Sequence, residues 1–199
     1  MTPLIILASS SERRIYLLKK SGINFIAVNH NLEREPRFDD FSKNMLKMPV
    51  SIGDFVQNLA LTKAKSLRDD YPENWIIGSD TVIYMNGTVY GKPKDSSDAF
   101  NMLKGLSGKT HEVYTGIGLI NKSKNIYITD YDKTAVKIKP LNDKEIIDYL
   151  SEYSPEGKAG SYGIQDEHGI VELYEGSFEN VLGLPVQKLF PLLSKYGLN

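Results

Sequence analysis

Two segments, far apart in the chain, carry residue types that suit phosphate chemistry. The first follows an apolar run and reads Ser9-Ser10-Ser11-Glu12-Arg13-Arg14. Both arginines fall in the first turn of a predicted helix, where the helix dipole disfavours each cation by roughly 0.3–1 kcal/mol. An anion at the same helix N-terminus would offset that cost, and the hydroxyl groups of Ser9 and Ser11 would also bind the anion. The alternative is a solvated basic helix end, and residue types alone favour neither.

The second segment places Asp80, followed by Thr81, inside an otherwise apolar strand, 75–85. A buried, unpaired carboxylate costs several kcal/mol, so Asp80 needs a metal, a cation or a proton. A metal ligand or a general base is a natural role for such a group. A buried ion pair or a strand-end cap is the alternative interpretation.

Four further polar residues are candidates only in combination. Glu33 alone is typical of a surface charge, but with Asp80 it would complete an oxygen-donor magnesium site. Lys63 lies on the apolar stripe of a predicted helix, where snorkelling is the default interpretation. Lys92 with Lys63 would neutralise a triphosphate. Gln165 ends a glycine-rich turn, and its amide suits a nucleobase edge, although an ordinary turn is the alternative.

The elements that must position these residues follow from periodicity and turn signals. Helices and strands alternate early and a meander follows, which predicts a mixed-sheet α/β protein. The predicted helices are 11–20, 51–68, one capped by Ser96 or Ser97, one capped by Asn142, and 185–196. The predicted strands are 4–8, 25–28, 75–85, 88–90, 112–120 and 125–138, with Asn86-Gly87 as a hairpin turn and strands and turns over 158–184.

Composition narrows the class of protein. A chain of 199 residues favours one domain, and a net charge of −1 argues against a nucleic-acid binder. Without cysteine there is no disulfide or thiol nucleophile, which fits the cytoplasm. With only three histidines, a zinc site or a Ser-His-Asp triad is disfavoured, and the histidines are expected to be structural. No stretch has the length of a membrane span.

Six ordered blocks of the sequence resemble the Maf family of nucleotide pyrophosphatases, over about residues 4 to 193. They are Leu7-Ala8-Ser9-Ser10-Ser11-Glu12-Arg13-Arg14, Gly78-Ser79-Asp80-Thr81-Val82, Gly91-Lys92-Pro93, the run 106–116, Lys158-Ala159-Gly160-Ser161-Tyr162-Gly163-Ile164-Gln165, and Asn180-Val181-Leu182-Gly183-Leu184-Pro185. The resemblance implies one Maf-like domain over 1–199, with a fold like that of inosine triphosphate pyrophosphatases and two lobes around a cleft.

The resemblance also implies an activity and a site. The implied enzyme is a homodimer that uses Mg²⁺ or Mn²⁺ to hydrolyse a nucleoside triphosphate to the monophosphate and pyrophosphate. The residue matching Asp80 is the implied proton acceptor, and the site is implied to be lined by Ser9, Arg13, Arg14, Glu33, Lys63, Lys92 and Gln165. Within the family, arginine, threonine and glutamine at positions matching Arg13, Thr81 and Gln165 accompany dTTP and UTP preference, whereas the other group prefers 7-methyl-GTP.

The sequence departs from the family pattern at two positions. Glu12 stands where family members usually have proline, and its negative charge is favourable at a helix N-terminus. Arg34 replaces an acidic residue beside Glu33, which is expected to weaken or shift metal binding. The loop 34–50 is also longer than usual.

Two other functions remain as alternatives. A nucleotide-binding regulator would act through a protein partner, because family members are linked with septum formation and cell-division arrest. A nucleotidyltransferase would share the Ser/Arg/Lys phosphate pocket but would need an acceptor substrate. Turnover of dTTP or UTP with water alone separates both from a pyrophosphatase.

Overall fold

The fold is that of a mixed-sheet α/β protein, as the sequence predicts. The structure is a computed structural model that describes residues 4–29 and 51–198. Glu33, Arg34 and the predicted loop 34–50 lie outside the described residues.

The strands are β1 Ile5–Ala8, β2 Phe25–Val28, β3 Trp75–Met85, β4 Thr88–Tyr90, β5 Thr110–Asn121, β6 Ile126–Ile138 and β7 Val171–Glu175. The helices of the described residues are α1 Glu12–Lys20, α2 Ile52–Lys65, α3 Ser96–Leu106, α4 Asp143–Glu152, α5 Phe178–Leu182 and α6 Val186–Lys195. A short 3₁₀ turn covers Ala159–Ser161. None of the helices in the described part of the chain is long and apolar enough to cross a membrane.

The strands form one seven-stranded sheet in the order β2-β1-β3-β5-β6-β7, with β4 paired to β3. Strand β1 runs parallel to both β2 and β3, while β4 and β7 run antiparallel to their partners. In the β1–β3 register Leu7 lies opposite Ile77, so Ser9 and Ser79 each stand two residues beyond that pair. The register therefore places Ser9, at the start of the first candidate segment, level with Ser79, the neighbour of Asp80 in the second.

The chain divides into two compact units. The first contains the described residues up to Asp80, with Thr115–Asp132 and the residues from Gly183 onward. Its apolar core includes Ile6, Ala8, Ala64, Leu67, Ile76 and Ile120.

The second unit contains Thr81–Tyr114 and Lys133–Leu182. Its core is built from aliphatic residues of strands and helices together with two tyrosines, namely Ile83, Met85, Leu103, Leu106, Val113, Val136, Ile138, Ile146, Tyr149, Tyr162 and Ile170.

The helix starts show which local signals decided the structure. The predicted capping box of α4 is confirmed, with Asn142 and Glu145 satisfying each other's backbone N–H groups. The prediction that Ser96 or Ser97 caps α3 is wrong. Asp95 is the cap, because its extended backbone lets the carboxylate accept from the N–H of Asp98 at 2.8 Å.

The predicted strand-and-turn region 158–184 also differs in part. It contains the 3₁₀ turn, β7 and the short helix α5. The helix starts where Ser177 Oγ accepts from the N–H of Asn180 at 3.1 Å. That side-chain cap, and not a periodic apolar pattern, is the local signal for α5.

Candidate functional site

The loop from β1 to α1 gathers the predicted anion-binding groups of the first unit. Ser9 is buried, and its Oγ accepts from the N–H of Ser11 at 3.2 Å and from Arg14 Nη1 at 3.5 Å. Ser11 is the N-cap residue of α1, but its hydroxyl makes no capping bond there. The first-turn backbone N–H groups of α1 are therefore not capped by this side chain, as an anion site at a helix N-terminus requires. Arg13 lies beside them, half-buried.

Arg14 is held inside the unit by a carbonyl from the C-terminal part of the chain. Its Nε donates to the Gly183 carbonyl at 2.7 Å, and the same carbonyl accepts from Ser79 Oγ at 3.0 Å. Burial lowers the pKa of Arg14, while the nearby charge of Asp80 raises it and that of Arg13 lowers it. An arginine has a pKa far above neutrality, so Arg14 stays a cation, fixed in place and electrostatically coupled to Asp80.

Asp80 forms a buried ion pair with Lys63. Lys63 Nζ lies 2.6 Å from Asp80 Oδ1, and the two side chains are 5% and 10% exposed. The interpretation of Lys63 as a snorkelling side chain is wrong, because its ammonium group turns inward to the carboxylate. The ion-pair alternative for Asp80 is thus observed. Such a pair compensates part of the cost of burying the carboxylate charge.

Two glycines explain how Lys63 reaches Asp80. A Cβ on Gly78 of β3 would collide with the backbone of α2 at Ala60 and Ala64. A Cβ on Gly116 of β5 would collide with the α2 backbone at Val56. Because both positions lack a side chain, α2 packs directly on the strands, and Lys63 comes within hydrogen-bond reach of Asp80.

The second unit carries three further predicted residues. Lys92 and Gln165 are exposed, and Thr81, which follows Asp80 in β3, is half-buried. The N–H of Gly160 donates to the carbonyl of Gly91 at 2.9 Å. The segment with Lys92 and the turn with Gln165 are therefore joined through their backbones.

The donor set in the described residues fits a metal that binds with a substrate. In residues 4–29 and 51–198, no three His, Cys, Asp or Glu side chains cluster around a possible metal position. Asp80 offers one carboxylate, and magnesium usually takes one or two carboxylates and completes its shell with water and phosphate oxygens. A closed structural site, which needs about four protein ligands, does not fit these residues.

Sequence reasoning missed two residues that the structure places beside the predicted ones. Ser79 is fully buried and bonds to the Gly116 and Gly183 carbonyls, and Gly183 supplies the carbonyl for Arg14. Both lie in the family blocks quoted above, but neither has a side chain that signals chemistry. Their roles depend on hydrogen bonds to backbone carbonyls, which no residue pattern displays.

His111 shows a structural role of the kind predicted for the histidines. It is buried, and its Nε2 lies 2.7 Å from Tyr162 Oη in the second unit. Burial lowers the pKa of His111 to about 4, so the ring is neutral at pH 7. His168 is exposed, and His30 lies outside the described residues.

Known proteins resemble the chain over nearly its whole length. The family described as "Maf-like protein" matches residues 4–196. A "dTTP/UTP pyrophosphatase" of Clostridium botulinum (strain Kyoto / Type A2) is 40% identical over 199 residues, covering 98% of each chain. Proteins of the same description from Clostridium perfringens (strain SM101 / Type A) and Dictyoglomus turgidum are 40% and 38% identical, over 98% and 97% of this chain and 97% and 96% of their own.

Among solved structures, the Ham1 protein of Staphylococcus aureus is similar with a TM-score of 0.43 and 12% identity, over 68% of this chain and 71% of that one. The family match and the relatives decide the classification without it. This chain belongs to the Maf family.

Proposed function

We propose that this chain hydrolyses nucleoside triphosphates, preferably dTTP and UTP, to the monophosphate and pyrophosphate. The buried Lys63–Asp80 pair, electrostatically coupled to Arg14, is the observation that carries the proposal. When water attacks a phosphate, buried cations can stabilise the charge that develops, and a carboxylate can orient the water and accept its proton. Relatives described as dTTP/UTP pyrophosphatases support the choice of substrate.

In this mechanism the β1–α1 loop binds the phosphate chain. Arg13 and Arg14 donate to phosphate oxygens in the forked geometry that guanidinium groups allow. The hydroxyl groups of Ser9 and Ser11 and the first N–H groups of α1 add neutral donors. Lys92 is proposed to contribute a further positive charge. These groups spread the charge that develops during phosphoryl transfer.

Asp80 orients the attacking water and accepts its proton. Lys63 holds the carboxylate at a fixed position through the 2.6 Å contact. The ammonium group has three N–H donors, so a phosphate oxygen can share it with Asp80. Lys63 therefore contacts both the general base, Asp80, and the substrate.

Thr81 and Gln165 are proposed to recognise the base. The hydroxyl of Thr81 and the amide of Gln165 both donate and accept, which matches the polar edge of a pyrimidine. Arg13, Thr81 and Gln165 together are the residues by which the sequence resembles the dTTP/UTP group.

The reaction is proposed to need a divalent cation, Mg²⁺ or Mn²⁺, held by Asp80 and Glu33 with phosphate oxygens of the substrate as co-ligands. When bound, such an ion polarises phosphate oxygens and neutralises the leaving pyrophosphate. Removal of the cation by EDTA should abolish turnover, and added Mg²⁺ should restore it.

Product analysis tests the activity. The purified protein is incubated with dTTP, UTP, CTP or dATP and Mg²⁺, and the products are separated by ion-exchange chromatography. Monophosphate and pyrophosphate in equal amounts, fastest from dTTP and UTP, are expected. Release of single phosphates, or binding without turnover, would contradict the proposal, and the latter would favour the regulator of septum formation. The enzyme descriptions of the relatives do not favour that alternative.

We also propose that the protein is a cytoplasmic homodimer, as the family resemblance implies. Light scattering coupled to size-exclusion chromatography should give about twice the chain mass of 22.4 kDa. A monomer mass at micromolar concentration would contradict the dimer. Cell fractionation followed by immunoblotting tests the location.

A further inference from the structure

The turn that carries Gln165 is closed by a carboxylate to which the proposed function gives no role. The Asp166 side chain is 5% exposed and accepts a hydrogen bond from Tyr149 Oη. Its oxygens also lie 3.1 Å from the N–H of Gly163 and 3.1 and 3.2 Å from Lys158 Nζ. Donors from α4, from the Lys158 side chain and from the Gly163 backbone thus converge on one buried side chain.

The surrounding residues are suited to hold that carboxylate. A Cβ on Gly163 would lie 2.6 Å from Asp166 Oδ1, so the absence of a side chain at Gly163 lets the carboxylate lie against the backbone here. Burial, and then the bond to Asp166, raises the pKa of Tyr149, which keeps the phenol a neutral donor. Lys158, 12% exposed, supplies the compensating charge. A buried carboxylate satisfied in this way is a rigid support.

The other end of the turn is fixed as well. The N–H of Gly160 donates to the Gly91 carbonyl, and Ser161 Oγ lies 3.4 Å from the Met102 sulfur. Asp166 follows Gln165 directly in the chain, and Gln165 itself is exposed. The backbone on both sides of the exposed amide is therefore anchored inside the second unit.

Fixing that backbone matters for base selection because a glutamine amide is ambiguous. In one orientation its oxygen and NH₂ match the N3–H and O4 of uracil. After a half-turn of the amide, the same atoms match N3 and the amino group of cytosine. An amide on a loose turn can adopt either arrangement, whereas one held in place can reject the wrong base.

We infer that Asp166 is a positioning residue: by fixing the turn that presents Gln165, it sets the discrimination between UTP and CTP. The inference rests on the proposed function and deepens it. UTP and CTP share ribose and triphosphate, so a change in their ratio reports on the base edge alone.

The test compares kcat/KM for UTP and CTP in the wild type, Asp166→Ala, Asp166→Asn and the matched control Glu167→Ala. Glu167 is an exposed carboxylate one residue further along the same turn. Asp166→Ala should lower the UTP-to-CTP ratio about tenfold, mainly through KM for UTP, because a buried network loses its acceptor. Asp166→Asn should recover part of the ratio, since its amide oxygen still accepts from Tyr149. Glu167→Ala should keep the wild-type ratio.

Three outcomes would overturn the inference. The first is a wild-type enzyme with the same kcat/KM for UTP and CTP. The second is an Asp166→Ala variant with an unchanged ratio of these values. The third is an Asp166→Ala variant in which kcat falls and KM rises by the same factors for both nucleotides. If Asp166→Ala does not fold, Tyr149→Phe removes one donor only and should lower the ratio about threefold.

A wild type that releases no pyrophosphate from either nucleotide would refute the proposed function but leave the inference testable. The dissociation constants for UTP and CTP are then measured by calorimetry on the same variants. A binding ratio that Asp166→Ala leaves at the wild-type value would refute the positioning role.

Discussion

Among the described residues, each unit contains a buried lysine–aspartate pair, and the two pairs differ in where their partners come from. In the first unit, Lys63 comes from α2 and Asp80 from the apolar strand β3, and Lys63 Nζ lies 2.6 Å from Asp80 Oδ1. In the second unit, Lys158 and Asp166 flank one turn, at 3.1 and 3.2 Å, and the carboxylate also accepts from a tyrosine and a backbone N–H.

The two pairs also differ in how far apart in the sequence their partners lie. The Asp80 pair depends on tertiary packing, since α2 reaches β3 only over glycines. The Asp166 pair is local, eight residues apart, and shares its carboxylate with neutral donors. Because the cation Arg14, as well as Lys63, acts on Asp80, we propose that this pair serves catalysis, whereas the neutral donors around Asp166 make that pair a support for the turn.

The largest expected effect comes from Asp80→Asn, which keeps the shape and removes the charge. Turnover of dTTP should fall by about 10²–10⁴ in kcat, because an amide cannot accept the proton of water. The measurement is pyrophosphate release under saturating substrate and Mg²⁺. The control is Asp69→Asn, which breaks the exposed pair with Lys122 in the same unit at 2.7 Å. Near wild-type, metal-dependent turnover in Asp80→Asn would defeat the assignment of the base.

The next effect concerns stability and compares the two lysines directly. Lys63→Met leaves Asp80 buried without its ammonium partner and should cost about 3–5 kcal/mol in the free energy of unfolding. Lys158→Met should cost about 1–2 kcal/mol, because Asp166 keeps Tyr149 and the Gly163 N–H as donors. Urea unfolding, followed by circular dichroism and by the fluorescence of buried Trp75, gives both values. Equal losses would mean that the two carboxylates are held alike.

The same comparison shows what the sequence could predict. Asp80 was identifiable because a carboxylate in the run Ile76-Ile77-Gly78-Ser79-Asp80-Thr81-Val82 breaks an apolar pattern. Asp166 was not, because it stands in a polar turn where acids are ordinary. A residue stands out from sequence when its type contradicts its neighbours, and a buried acid in a turn contradicts nothing.

The fold followed the same logic. The boundaries of β3 and the turn at Asn86-Gly87 were confirmed because strong local signals agreed with the packing. The cap of α3 moved to Asp95, because three adjacent residues can all act as caps and backbone geometry selects one. The partners of Lys63 and Arg14 were hidden, since both depend on contacts between residues distant in sequence.

Acid should weaken the second unit through His111. Its pKa is lowered to about 4 in the folded protein, against about 6.5 when unfolded. Between these values the unfolded chain binds a proton that the folded one does not, so stability falls as pH drops from 6.5 to 4. The free energy of unfolding keeps its full value above pH 6.5 and is lower by about 3 kcal/mol below pH 4. Urea unfolding at pH 7, 6 and 5 measures this slope.

Two histidine variants show which group causes the slope. His111→Phe should remove most of this pH dependence, because no buried ring then has to stay neutral. His168→Gln, which changes an exposed ring, should leave it unchanged. If His168→Gln flattens the curve and His111→Phe does not, the assignment to the buried ring is refuted.

The smallest effect separates a carbonyl that positions a catalytic side chain from one that only supports the fold. Ser79→Ala removes the donor to Gly116 and Gly183, and should cost about 1 kcal/mol of stability. Ser107→Ala is its counterpart in the second unit, since Ser107 Oγ bonds to the backbone of Leu141. Compared with the wild type, both variants should unfold at a lower urea concentration, and the decrease should be similar in the two.

Only Ser79→Ala should also raise KM for dTTP, by about two- to threefold, because the Gly183 carbonyl that it releases is the anchor of Arg14. If both serine variants raise KM equally, the increase reflects stability alone. If neither does, the Gly183 carbonyl holds Arg14 without help from Ser79. The segment with Arg14 and the strand with Asp80 are then coupled through the charge of Asp80 instead.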